Sequence, residues 1–139
     1  MKYRHLWALT LCALLFVRPS YAADACPFTG QTRVLQVQMF FGQKDQDGHP
    51  ISGLAFAKFL ETVVTPRFPN GFTVYDGQGQ WLDPDTRMLT RESSKILQVH
   101  GPDSADIRKL VNEIALAYRK DFHQKTVGLV TNESCASFY

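Results

Sequence analysis

The sequence predicts an α+β fold: a ferredoxin-like, split βαβ arrangement with a four-stranded antiparallel sheet and two helices on one face. Three observations point there. Hydrophobic periods follow the order strand, helix, strand, strand, helix, strand. Each helical segment carries a single apolar stripe, so both pack on the same side of the sheet. Finally, in this topology the first and last strands are antiparallel neighbours, which brings Cys26 and Cys135 together from opposite ends of the chain.

The first strand is read over residues 33–41, where Leu35, Val37, Met39 and Phe41 alternate with Val34, Gln36, Gln38 and Phe40. A polar turn through residues 42–50 leads to Ser52, an N-cap for a helix carrying Leu54, Phe56, Phe59, Leu60, Val63 and Val64. Pro66 is expected to end it, because its ring disfavours a helical Thr65 and it lacks an N–H. The second strand spans residues 71–82, with Gly77 and Gly79 suggesting a bulge or tight turn inside it. Pro84-Asp85 marks a turn, and the third strand covers residues 88–100 until Gly101-Pro102 stops it. Asp103 is the expected cap of a second helix, with Asp106 three residues on, followed by the stripe Ile107, Leu110, Val111, Ile114, Tyr118 and Phe122. The closing strand is placed at residues 126–131, extending towards Phe138.

The first residues predict export. Lys2 and Arg4 precede an apolar run over residues 6–17, and Ser20-Tyr21-Ala22 offers small residues at a peptidase site. About a dozen apolar residues are too few for a spanning helix, which needs about 20. The expected organisation is a cleaved signal peptide (1–22), an N-terminal segment (23–32) and one α+β domain (33–139), located in the periplasm or secreted, with no membrane span in the mature chain. A lipid-anchored alternative requires a branched apolar residue three positions before Cys26, where Ala23 stands.

Cys12 lies in the signal segment, which leaves Cys26 and Cys135 in an oxidising compartment where disulfides persist. Two independent thiols, or pairing between chains, are the alternatives to an internal bridge; the topology favours the bridge. Closing so long a loop is worth about 4 to 5 kcal/mol on the chain-entropy account. Losing Lys2, Arg4 and Arg18 takes 15 basic residues to 12 against 13 acidic, a net charge of −1. With no basic surplus to release counterions from a phosphate backbone, nucleic acid is not an expected partner.

The most informative block is Thr65-Pro66-Arg67-Phe68-Pro69 through Gly71, then Asp76, Gly79-Gln80-Trp81, and Arg91-Glu92-Ser93-Ser94-Lys95, preceded by Phe41-Gly42. On these residues the chain, from Val34 to about Val130, resembles the exported bacterial family labelled domain of unknown function 3574. The resemblance implies an exported single-domain protein and no assignable activity.

Two sites are open on the residues alone. Arg67, Asp76, Glu92 and Lys95 are expected to converge at one end of the sheet, with Gln80 and Trp81. There they either hold a loop through a guanidinium shared by carboxylates or receive a small anionic ligand, with Trp81 as an apolar wall and Glu92 or Asp76 as base. The second site is the sheet face away from the helices, where Gln36, Gln38 and Phe40 meet Ile96, Gln98 and His100. That face is either simply solvated or an interface for a homodimer or an envelope partner, since such a mixture buries area while satisfying amides.

Other motifs are weak. Asp45, Asp47 and Gly48 resemble the start of a calcium loop, but Phe56 stands where its bidentate glutamate belongs. Gly77 and Gly79 lack the third glycine and following helix of a nucleotide loop. His49, His100 and His123 have no metal-ligand spacing, and Ser93 and Ser94 no assigned base, so no metal or cofactor is expected. The expectation is a non-catalytic ligand-binding or envelope accessory protein. The runner-up is a small enzyme acting on an anionic metabolite through Arg67, Glu92 and Lys95, with Glu92 or His100 moving protons.

Overall fold

The computed structural model describes residues 26–82, 84 and 87–138. The signal-peptide reading of residues 1–22 and part of the Pro84-Asp85 turn therefore lie outside the described residues. The elements are β1 (Thr32–Gly42), α1 (Gly53–Phe59) running into a π-helical turn (Leu60–Val64), β2 (Thr73–Leu82), β3 (Leu89–Gly101), α2 (Ala105–Asp121) and β4 (Gly128–Ala136). The sheet is antiparallel throughout, in the order β2-β3-β1-β4. This is the ferredoxin-like α+β fold. No helix among the described residues is long and apolar enough to cross a membrane.

The two-residue period of β1 decides which face is covered. Val37, Met39 and Phe41 point to the helices and are buried, and register pairs Val37 with Val99 and Met39 with Leu97. Phe56, Phe59, Val64, Ile107, Val111, Ile114 and Tyr118 close the core from the helix side. Tyr118 is its polar anchor: the ring packs 4.4 Å from Phe41 and 4.6 Å from Phe122, and its hydroxyl donates to the Gly42 carbonyl at 2.8 Å. Gln43 Nε2 donates back to the same hydroxyl at 3.3 Å.

Several local expectations are corrected. Ser52 caps α1 as expected, accepting from the Ala55 amide at 3.1 Å. Leu54, however, is 84 % exposed, because it stands two residues from Phe56 and off the stripe that Phe56 and Phe59 set. Thr65 stays helical (φ −55, ψ −43) despite the following Pro66. Its amide reaches back five residues to Leu60 at 2.8 Å, and this widened turn puts Pro66 outside the helical ladder. Ser104, not Asp103, caps α2, accepting from the Ile107 amide at 3.3 Å, while Asp103 pairs with Arg108.

β2 shows neither a bulge nor a turn at its glycines, and pairs without interruption from Thr73↔Gln98 to Leu82↔Leu89. Gly77 instead makes room for a neighbour: a Cβ there would come within 2.8 Å of Ile96 Cδ1. β4 begins later than the predicted residue 126 and extends towards Phe138 as expected, reaching Ala136 by pairing with Thr32. The Asp45 turn is closed by its own carboxylate, which accepts from the Asp47 and His49 amides at 2.9 and 2.8 Å. The His49 amide chiefly holds the Asp45 carboxyl below its ordinary pKa.

Cys26 and Cys135 are disulfide-bonded with their Cα atoms 5.6 Å apart. The bond ties the segment entering β1 to the far end of β4, which among the described residues is an edge strand paired with β1 alone. Replacing both cysteines by serine is expected to cost about 3 to 5 kcal/mol in urea unfolding, and dithiothreitol should lower the melting temperature of the wild type but not of the variant. Burial pushes the Tyr118 phenol up from its ordinary value; the Gln43 hydrogen bond opposes this and the Glu92 charge adds to it. The folded state thus holds this proton to higher pH than the unfolded chain does. The stabilisation is complete below about pH 10 and is lost as pH rises beyond it. Tyr118→Phe should cost about 1 to 2 kcal/mol at neutral pH by removing the hydrogen bonds to the Gly42 carbonyl and from Gln43. The gap to wild type should narrow in urea melts near pH 11, because the variant has no such proton to lose.

Candidate functional site

Because both helices pack on one side, the other face of the sheet has no covering layer among the described residues. Register fixes its content. Gln36 lies across from His100, Gln38 from Gln98 and Phe40 from Ile96, and Gln36 and Gln38 face Asn132 and Val130 on β4. On β2 the same face receives Thr73, Tyr75, Gly77, Gly79 and Trp81.

The middle of this face is an amide ladder. Gln36 Nε2 donates to Gln98 Oε1 at 3.2 Å, and Gln38 Nε2 donates to that oxygen at 2.9 Å and to the Tyr75 hydroxyl at 2.6 Å. Three strands are therefore bridged by uncharged side chains that are each both donor and acceptor. Gln98 Nε2 lies 3.5 Å from His100 Nε2, and the His100 ring lies 6.2 Å from that of Phe138.

The two ends of the face are concave. At the His100 end, a cleft of about 500 Å³ is lined by Asn70, Thr73, Gln98, His100 and Phe138. Its wall turns sharply at Gly71, whose φ of +118° is open to glycine and costly for other residues. At the Glu92 end, a notch of about 220 Å³ lies between Phe40 and Trp81, with Gly42, Gly79 and Gly128 beside them and Glu92 at its rim.

The structure does not bring the six motif residues together. Arg67 lies just beyond the π-helical turn, against α2: its Nε is 3.1 Å from Glu113 Oε2, and its Nη1 donates to the Val63 carbonyl at 2.8 Å. Asp76 pairs with Lys95, and Gln80 Oε1 accepts from Arg91 Nε at 2.9 Å, on the side of the sheet that carries the helices. Trp81 and Glu92 are on the open face. The expected convergence fails for a simple reason: neighbours in a strand, and residues three apart, point to opposite sides. That same rule was available in the sequence, as was the placing of Tyr75 on the open face two residues from Gly77. Phe138 and Asn70 gave no periodic signal, since each lies outside a strand.

Two solved structures share the architecture. A phage SAM lyase in complex with S-methyl-5'-thioadenosine matches with a TM-score of 0.52 and 15 % identity, over 85 % of this chain and 98 % of that one. A phage SAM lyase in the apo state matches with a TM-score of 0.50 and 16 % identity, over 79 % of this chain and 94 % of that one. At these identities the likeness is one of fold. No curated protein matches the sequence. The family model described as "Protein of unknown function (DUF3574)" matches residues 36–138, three-quarters of the sequence, from within β1 to the end of β4, and the chain belongs to that family.

Proposed function

We propose that the chain is a non-catalytic binding protein of the bacterial cell envelope whose working surface is the open face of the sheet. The observation that carries this reading is the amide ladder of Gln36, Gln38, Gln98 and Tyr75, which spans three strands with no layer over it among the described residues. Val130, Tyr75 and Trp81 on the same face are 44 %, 39 % and 46 % exposed, so apolar area flanks the ladder. Such a mixture suits a partner that removes apolar surface from water and answers the amides. The leader-like N-terminus and the disulfide support an oxidising compartment outside the cytoplasm.

An enzyme for anionic metabolites finds less support. Arg67 and Lys95 are each engaged by a carboxylate. Glu92 and His100 stand eight residues apart on β3, roughly 26 Å at about 3.3 Å per residue, too far to serve one bond. A second reading is favoured by the His100 cleft, where rings and an amide suit a flat heteroaromatic ligand. The complex of a phage SAM lyase of this fold with S-methyl-5'-thioadenosine supplies a probe for it.

The test of the binding reading is photo-cross-linking in cells, with benzoylphenylalanine at Val130 on the open face or at Leu116, 52 % exposed on α2. Protein adducts from position 130 and none from 116 are expected; equal adducts, or none, sink the reading. For the second reading, calorimetric titration with S-methyl-5'-thioadenosine should give no saturable heat up to about 1 mM. Binding that disappears in His100→Ala would transfer the function to the cleft.

A further inference from the structure

The open face is unlike at its two ends, and the ends fit each other. One end carries a projecting ring, Phe138, 80 % exposed beside His100. The other carries the notch between Phe40 and Trp81, where Gly42, Gly79 and Gly128 place no side chain. The ionisable groups that β3 places on this face follow the same polarity, with Glu92 at the notch end and His100 at the ring end.

We infer that the open face seats a second copy of this chain about a two-fold axis running across the strands, with each Phe138 ring entering the other copy's notch. This rests on the open-face binding reading above and names its partner. An axis crossing β3 near Ile96 lays β3 of one copy antiparallel over β3 of the other. It sets His100 over Glu92 and Phe138 over the notch, and it does so twice, as an isologous contact requires. The middle is self-complementary for a different reason: an amide row needs no partner of opposite charge, because each glutamine both donates and accepts.

Dimensions agree. Two packed sheets stand about 10 Å apart, a gap that side chains from both faces fill. Four strands about 4.8 Å apart and about nine residues long give a face of roughly 600 Å² in projection. The corrugated accessible area is larger, which reaches the class of about 800 Å² per partner typical of stable interfaces. A heterologous partner would have no reason to match a ring at one end and a hole for it at the other.

Sedimentation velocity on the purified oxidised protein, from about 1 to 200 µM, tests the inference. A dimer is expected for the wild type. Phe138→Ala and Gly79→Val should each raise its dissociation constant at least about tenfold, as removing or blocking a buried aromatic anchor does, with the melting temperature of the dilute monomer unchanged. A Cβ on Gly79 meets nothing closer than 3.6 Å within the chain, so the valine fills the notch rather than disturbing the fold. If Gly79→Val nevertheless lowers the melting temperature, Phe138→Ala decides alone, because that side chain is exposed. Leu116→Arg on the helix layer should leave the dimer intact. A monomer throughout the range, or a dimer that neither Phe138→Ala nor Gly79→Val weakens, overturns the inference. A monomer that still gives adducts with a different protein from position 130 overturns the second copy while leaving the binding reading standing; no adducts at all remove both.

Discussion

The fold hangs on the Tyr118 ring and its hydrogen bond to the Gly42 carbonyl. The ring is fully buried, touches Phe41 of the sheet and Phe56, Phe59 and Phe122 of the helical layer, and so joins the sheet to both helices. A phenol there combines a large apolar body with a polar tip that must find a partner. It finds one where β1 ends, so α2 is fixed along the sheet as well as onto it. Once α2 is held to the Phe41 side, α1 follows through Phe56 and Phe59, and among the described residues the Gln36/Gln38 side receives no helix.

An uncovered face with this composition has to satisfy itself laterally. Gln98 Oε1 does so by accepting from two amides of β1 at once, and Tyr75 closes the ladder from the edge. Ile96 is tucked over Gly77 and is only 9 % exposed although it lies on this face. Lateral satisfaction keeps the monomer free of stranded polar atoms, and no buried side-chain N or O lacks a partner among the described residues. It leaves the apolar flanks unanswered, which is why the face reads as a surface for contact. The shared architecture with phage SAM lyases does not alter this, since a fold hosts unrelated functions and side chains decide among them.

How much of this was legible in the sequence depended on whether a signal was periodic. The alternation of residues 33–41 and the stripe from Ile107 to Phe122 gave the sheet, its covered face and the better helix, and the topology then placed Cys26 beside Cys135. The Gln36, Gln38, Gln98 and His100 face was legible for the same reason. The motif around Arg67 was not, because nearness in sequence does not set the side of a strand on which a residue falls. Arg67 found Glu113, a residue of α2 with no signal linking it to the block. The π-helical turn was equally hidden: its widening depends on where Pro66 falls relative to Leu60, and a stripe of apolar residues looks the same with or without it. Glycines misled in another way, since Gly77 serves a neighbour's side chain and not its own backbone.

The disulfide has a mechanical side as well. Cys26 precedes β1 and Cys135 lies near the end of β4, so the bond spans 109 positions and encloses nearly every element. A pull on the chain from before residue 26 and after residue 135 would travel through the sulfur atoms and bypass the ladder of hydrogen bonds between β1 and β4. Strands that would otherwise be sheared or unzipped under load carry none of it, and extension stops at a covalent limit before the core is disturbed.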